Sequence, residues 1–301
     1  MQFTITNKTV SKTPSGNSKI IKVYEISNPN SKQHIYLQAG LHGTELTGTP
    51  ILFELIYLIQ KNLENFRDYS FTIVPICNPE STDSQIMGLQ TGYNNIHTNA
   101  QNCQNYNRPN LKKIGSIEYN HIQTLFELSQ NADILIDLHT AGKESLWHVY
   151  CNKNLISKAK NFGVKNIIAW DSIIGCFEDL NFEKGKETYT LECGPSRSIS
   201  QKDIQKGIQA ILNFLKKQEQ NLEFNILKEN QIQSLKANDS GFLVWNIKVG
   251  EKFKKDQIIA QIINGVNQKT DIKAPSNGIL FIKDNIHAVF ENQQIAELII
   301  N

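Results

Sequence analysis

The sequence predicts an α/β fold with a mostly parallel or mixed sheet and helices on both faces, followed by a small C-terminal all-β, barrel-like domain. Apolar segments rich in Ile, Val and Tyr alternate with helical segments as far as about residue 217. Such alternation is typical of strands buried between two helical layers. Beyond about residue 222, short strands separated by glycines and turns replace the helices. We therefore expect an α/β domain over residues 1–225 and a β domain over residues 226–301.

The elements of the first domain follow from the position of these patterns. Strands are expected over residues 19–27, 33–40, 70–76, 132–139, 145–151, 166–170 and 187–193. Helices are expected over about 50–63, 121–130 and 201–217, where apolar residues recur at helical spacing. The polar stretch 80–115 is rich in Asn and Gln and shows no clear period, and loops of this length are functional or disordered.

Composition restricts the class of partner. The 301 residues include 31 Lys and Arg and 29 Asp and Glu, and no basic cluster suggests nucleic acid or an acidic membrane surface. The first ten residues do not read as a signal peptide, and no apolar stretch approaches the ~20 residues that span a bilayer. Five scattered cysteines favour a reducing compartment. We expect a cytoplasmic protein that binds a small molecule, and a homo-oligomer is compatible with the sequence.

Four residues predict a metal site: His42, Glu45, His139 and Glu192. Three of them lie at or just past predicted strand ends, where open α/β sheets bind their ligands, and Glu45 follows three residues after His42. Catalytic zinc sites use three protein ligands and leave one position open, and a further carboxylate can act as general base. An HxxE pair alone is a weak signal, since most such pairs are ordinary polar residues near the start of a helix. The combination predicts one zinc ion per chain, with Glu192 as the base.

Asp137 lies two positions before His139 on the same strand, so both side chains point to one face of the sheet. A carboxylate there can orient a metal-binding imidazole. The alternatives are a core histidine and an aspartate that caps a neighbouring element. For Glu192, a glutamate in an apolar strand is costly unless it is paired or functional, and the alternative is an edge position that faces solvent.

Arginine is scarce in this chain: it occurs at Arg67, Arg108 and Arg197, so the other 28 of the 31 basic residues are lysine. The planar guanidinium binds carboxylates through two parallel hydrogen bonds. Asn107 and Arg108 lie in the long polar loop, and we predict that they bind a substrate carboxylate. An ordinary surface arginine is the alternative. Arg197 is a candidate for a second carboxylate anchor, a gate or a surface residue.

Taken together, five segments resemble the succinylglutamate desuccinylase/aspartoacylase family of the zinc carboxypeptidase superfamily. They are "GLHGTELTG", the "NP" at 78–79, "NYNR" at 105–108, "DLHT" at 137–140 and "LECGP" at 191–195. The resemblance implies a carboxypeptidase-like fold, a zinc ion held by His42, Glu45 and His139, and Glu192 as general base. It also implies that Asn107 and Arg108 bind the carboxylate of an N-acyl amino acid.

The sequence departs from the family pattern at two places. Family members usually carry another arginine between the "NP" and "NR" motifs, and residues 80–101 contain none. Zinc alone or a donor such as His97 can take over its role. The aspartate and leucine of the family's "DLNR" are replaced by Asn105 and Tyr106. The C-terminal segment resembles a biotinyl/lipoyl-like β module, and Lys269 lacks the neighbours of a modified lysine.

The leading hypothesis is a zinc-dependent hydrolase that cleaves the amide bond of a small, carboxylate-bearing N-acyl amino acid or related acyl-amine. The nearest alternative is a carboxypeptidase that acts on short peptides and shares the metal site. A further alternative is a non-catalytic zinc- or ligand-binding protein. The missing loop arginine favours this non-catalytic alternative, whereas the complete ligand set with Glu192 argues against it.

Overall fold

A computed structural model describes residues 1–12, 16–84, 105–108, 117–142, 144–171, 175–196, 199–284 and 286–300. The first ten strands are β1 (Gln2–Lys12), β2 (Ser18–Ser27), β3 (Gln33–Ala39), β4 (Tyr69–Val74), β5 (Ile134–His139), β6 (Glu144–Ser145), β7 (His148–Asn152), β8 (Asn166–Trp170), β9 (Glu187–Glu192) and β10 (Asn225–Lys228). The helices are α1 (Gly48–Lys61), α2 (Pro79–Ser84), α3 (Ile117–Ser129), α4 (Ile156–Ala159), α5 (Phe177–Phe182) and α6 (Gln201–Leu215).

The large sheet has nine strands in the order β1-β2-β4-β3-β5-β9-β7-β8-β10. Strands β4, β3, β5 and β9 are parallel to one another. Strand β7 is antiparallel to β9, whereas β8 and β10 continue parallel to β7. The first two strands are antiparallel and form one edge. The sheet is therefore mixed, with a parallel centre. Strand β1 was not among the predicted strands, because Phe3, Ile5 and Val10 are its only apolar residues and do not form a continuous alternating pattern.

Helices cover both faces of this sheet, which confirms the predicted fold class. On one face, α1 and α6 pack against the strands through Ile51, Leu55, Ile211 and Phe214. On the other face, α3 and α5 contribute the core residues Ile122, Leu125, Phe126 and Phe177. Strand β5 is buried along its whole length, as its mainly apolar sequence predicts. No helix of the described part is long and apolar enough to cross a membrane.

The C-terminal segment forms two antiparallel sheets around its own apolar core. Its strands are β11 (Ile232–Lys236), β12 (Gly241–Trp245), β13 (Lys252–Phe253), β14 (Ile258–Gly265), β15 (Gln268–Lys273), β16 (Gly278–Lys283), β17 (Ala288–Val289) and β18 (Gln294–Ile300). The sheets have the orders β11-β18-β16-β13 and β15-β14-β12-β17.

The C-terminal sheets dock onto the large sheet next to strands β7 and β8. Phe281 and Ile299 share an apolar cluster with Ile168 and Leu227 of the large sheet. The short strand β6 leaves the first part of the chain and pairs with β16. This contact brings the end of β16 and the start of β18 towards the amino end of β7 and the carboxyl end of β9, where the candidate site lies.

Candidate metal centre

The central strands place three of the four predicted site residues at one edge of the sheet. His139 ends β5 and Glu192 ends β9, and the two residues are paired in the parallel register. His42 follows the end of β3, the neighbour of β5 on its other side. The carboxyl ends of parallel strands therefore bring together residues that are far apart in the sequence.

A tight loop between β3 and α1 presents His42 and Glu45. Gly40 has a φ of +69°, a backbone conformation that favours glycine. A Cβ on Gly43 would lie 2.0 Å from the carbonyl oxygen of Ser81, so the position has no room for a side chain. Glu45 lies in this loop, three residues before α1 begins at Gly48.

The buried side chains of His42, Glu45 and His139 converge so that their ligand atoms all lie within 4.8 Å of one another. His42 Nδ1 is 3.0 Å from Glu45 Oε1, and His139 Nδ1 is 3.0 Å from Glu45 Oε2. The backbone N–H of Thr140 also donates to Glu45 Oε2, over 3.2 Å. Two imidazoles and one carboxylate form a donor set that known zinc hydrolases use. The type and proximity of these three side chains fit a divalent metal ion.

The other ring nitrogens of both histidines face further polar groups. His42 Nε2 lies 2.9 Å from Asn105 Oδ1. His139 Nε2 lies 3.1 Å from Asp137 Oδ2, and the amide of Gln38 donates to the same oxygen over 2.8 Å. Partners of this kind fix the orientation of imidazole ligands. Asp137 therefore lies where the sequence predicted it, on the same face as His139. Asn105, in place of the family's aspartate, is the acceptor for His42.

Charge interactions favour a cation at the cluster. Burial opposes ionisation of Glu45, but His42 and His139 outweigh it and hold the pKa of the carboxyl below its ordinary value. Burial lowers the pKa of His139, yet Asp137 and Glu45 more than compensate and raise it well above the ordinary range. Glu192 differs, because burial raises its pKa to about 8. Its Oε2 is buried and has no hydrogen-bond partner in the described structure.

The cluster opens into a cavity of about 450 Å³, which is large enough for a small molecule. Asn107 and Arg108 both line it, with Arg108 exposed and Asn107 buried. The side-chain oxygen of Asn107 accepts a hydrogen bond from the backbone of Phe177 over 3.0 Å. Arg197 and His97 lie outside the described residues.

The sequence did not predict several residues of this cavity. Glu178 and Asp179 come from the short helix α5, in a segment without a clear period. Asp284 and Glu297 come from the C-terminal sheets. Adjacent acids in "CFEDL" were the available signal for the first pair. No sequence signal pointed to Asp284 and Glu297, because their position depends on how the C-terminal sheets dock onto the large sheet.

Fold and site together define an α/β protein with a candidate metal centre at the carboxyl ends of its central strands. The sequence model of the succinylglutamate desuccinylase/aspartoacylase catalytic domain matches residues 31–217, and the chain belongs to this family. The catalytic-domain match begins just before β3 and ends after α6, so it includes His42, Glu45, His139 and Glu192.

Solved structures share the fold along nearly the whole chain. A protein described as a succinylglutamate desuccinylase/aspartoacylase from Shewanella frigidimarina NCIMB 400 is 17% identical, with a TM-score of 0.83 and coverage of 99% of this chain and 97% of its own. The product-bound ectoine utilization protein EutE from Ruegeria pomeroyi is 16% identical, with a TM-score of 0.80 and coverage of 99% and 95%.

A metallo-carboxypeptidase from Burkholderia cenocepacia is 14% identical, with a TM-score of 0.56 and coverage of 71% of this chain and 64% of its own. At these identities the likeness concerns the fold. No curated protein matches the sequence significantly.

Proposed function

We propose that the protein is a zinc-dependent deacylase that hydrolyses the amide bond of a small N-acyl amino acid or related acyl-amine. The observation that carries the proposal is the convergence of His42 Nδ1, His139 Nδ1 and the Glu45 carboxylate, with Glu192 in the same cavity. Family membership and the carboxypeptidase-like fold support it. When bound, zinc would lower the pKa of a water molecule and polarise the amide carbonyl.

The remaining chemistry belongs to side chains of the chain itself. Glu192 accepts a proton from the attacking water and later donates it to the leaving amine. Burial favours the protonated form of Glu192, which helps the carboxyl to hold the accepted proton until the amine leaves. Arg108 binds a carboxylate of the substrate, and the amide nitrogen of Asn107 assists, because its oxygen is already bound to the backbone of Phe177.

Replacement of Glu192 by glutamine tests the role of the base. The variant should retain zinc, because Glu192 is not one of the three clustered ligands, and should lose about 10²–10⁴-fold in kcat. Glu187→Gln, at the opposite end of the same strand, is the matched control and should keep its activity. Equal turnover in Glu192→Gln and the wild type would contradict the proposal. Assays of N-acyl amino acids beside dipeptides separate a deacylase from a carboxypeptidase.

Two further features belong to this proposal. We place the division between the catalytic domain and the C-terminal β domain near residue 225, at the start of β10, which still pairs with β8. The C-terminal domain supplies part of the cavity wall and so limits the size of the substrate.

A cytoplasmic location is supported by four buried cysteines that form no disulfide: Cys77, Cys151, Cys176 and Cys193.

A further inference from the structure

The cavity beside the metal centre contains more carboxylates than hydrolysis requires. Besides Glu45 and Glu192, five acids of the described structure line it: Glu178, Asp179, Glu229, Asp284 and Glu297. Arg108 is the one lysine or arginine among the described lining residues. Seven carboxyl groups (two plus five) therefore line the cavity beside a single guanidinium, so its described lining is predominantly acidic. The cavity therefore favours a ligand with positive charge.

Glu178 is the acid that most clearly lacks a partner. It is 9% exposed, it lines the cavity, and its Oε2 forms no hydrogen bond within the described structure. A buried carboxylate oxygen without a hydrogen-bond donor is costly, so Oε2 is free to accept a donor from a ligand. Burial, and then the neighbouring Asp137, raise the pKa of Glu178, as expected for an acid that is short of positive charge.

Tyr150 lies within electrostatic reach of four acids that line the cavity. Burial raises the pKa of its phenol, and four carboxylates around it raise it further. These carboxylates belong to Glu192, Glu297, Glu229 and Glu178, which come from four separate parts of the chain. The rings of Tyr150 and Trp170 line the same cavity. Carboxylates beside aromatic rings form a favourable environment for an organic cation.

We propose that the substrate carries a second, positively charged amino group, which binds Glu178, Glu229 and Glu297 beside the rings of Tyr150 and Trp170. This inference rests on the proposed deacylase function and narrows its substrate to N-acyl derivatives of diamino acids, whose carboxylate binds Arg108. An ammonium group has three donors and no acceptor, whereas ionised carboxylates only accept. A side-chain carboxylate in the same place would meet like charges, which disfavours acidic acyl amino acids.

Binding to zinc-loaded Glu192→Gln tests this charge preference apart from turnover. Calorimetry compares three ligands that differ at the end of the side chain: Nα-acetylornithine, its neutral isostere Nα-acetylnorleucine, and Nα-acetylglutamate. We expect the ornithine derivative to bind about tenfold or more tightly than each of the others, because a partly buried charge pair contributes more than an exposed one.

A second substitution in the same background identifies the acids responsible. Glu178→Gln and Glu297→Gln should each lower the ratio of affinities for the ornithine and norleucine derivatives several-fold. Glu291→Gln, an exposed glutamate of the C-terminal domain outside the cavity, is the matched control and should leave that ratio unchanged. The ratio is informative where a loss of affinity alone is not, since a misfolded variant would lose all three ligands together.

Equal or tighter binding of the norleucine or glutamate derivative would overturn the charge preference, and so would the absence of binding by all three. Turnover by the wild type is then measured separately on the same compounds. Hydrolysis without charge preference would refute this inference and leave the deacylase function standing. Selective binding of the cationic ligand without hydrolysis of any compound would refute the deacylase function and support the charge preference.

Discussion

Replacing Asp137 by asparagine should weaken zinc binding by changing the orientation and basicity of His139. Asp137 is fully buried, and its Oδ2 lies 3.1 Å from His139 Nε2. The amide of Gln38 donates to the same oxygen over 2.8 Å, and the Tyr36 hydroxyl donates to Gln38 over 2.9 Å. This chain of contacts fixes the carboxylate, which in turn keeps His139 Nδ1 directed towards Glu45.

The size of the effect follows from the kind of contact. A hydrogen bond to a charged group contributes about 1.5–3 kcal/mol, and a neutral one about 0.5–1.5 kcal/mol. Asparagine keeps the shape and loses the charge, so the expected loss is about 1–2 kcal/mol, or about 5–30-fold in zinc affinity. This lies near the range measured when partners of metal-binding histidines are removed, about 10–100-fold.

Competition with a chromophoric zinc chelator at fixed pH measures this affinity directly. The control is Asp133→Asn, which removes an exposed carboxylate just before the same strand, where Asp133 accepts a hydrogen bond from the backbone of His34. Thermal unfolding of both variants verifies that each is folded. If Asp137→Asn bound zinc as tightly as the wild type, or if Asp133→Asn lost as much zinc affinity, Asp137 would have no special role in orienting His139.

Two further predictions concern stability. Burial lowers the pKa of His121 to about 4, whereas the unfolded value is about 6.5, so stability is complete above about pH 6.5 and falls as the pH drops towards 4. Urea unfolding measures the free energy of unfolding at about pH 7 and pH 5. Between these pH values it should fall by about 2 kcal/mol more in the wild type than in His121→Gln. An equal fall in both proteins would contradict the prediction. Gly43→Ala should cost about 1–3 kcal/mol and reduce zinc content, because its Cβ would lie 2.0 Å from the Ser81 carbonyl oxygen. Unchanged thermal unfolding and zinc content would show that the loop tolerates a side chain.

The parts of the site that could be predicted from the sequence share one physical origin. His42, His139 and Glu192 each follow or end an apolar strand, and the central strands of an α/β sheet end at a common edge. The local pattern of apolar strands was therefore enough to predict that these three residues lie close together. Asp137 followed from the two-residue repeat of a strand, without any knowledge of the sheet.

The remaining parts depend on contacts between distant segments. Glu297 enters the cavity because Phe281 and Ile299 dock the C-terminal sheets onto the large sheet, and nothing near residue 297 in the sequence indicates this contact. Strand β7 runs antiparallel to β9, a direction that apolar runs alone do not specify. The loop before α1 presents both His42 and Glu45, and it packs against the distant residue Ser81 through Gly43.

The most direct test of the account is the zinc content of the purified protein, measured by elemental analysis for the wild type, His139→Ala and His287→Ala. His287 is an exposed histidine of the C-terminal domain and controls for the loss of any imidazole. If His139 is a zinc ligand, the wild type and His287→Ala should each contain about one zinc per chain, and His139→Ala should lose most of its zinc. No metal in the wild type after incubation with zinc, or full zinc in His139→Ala, would contradict it.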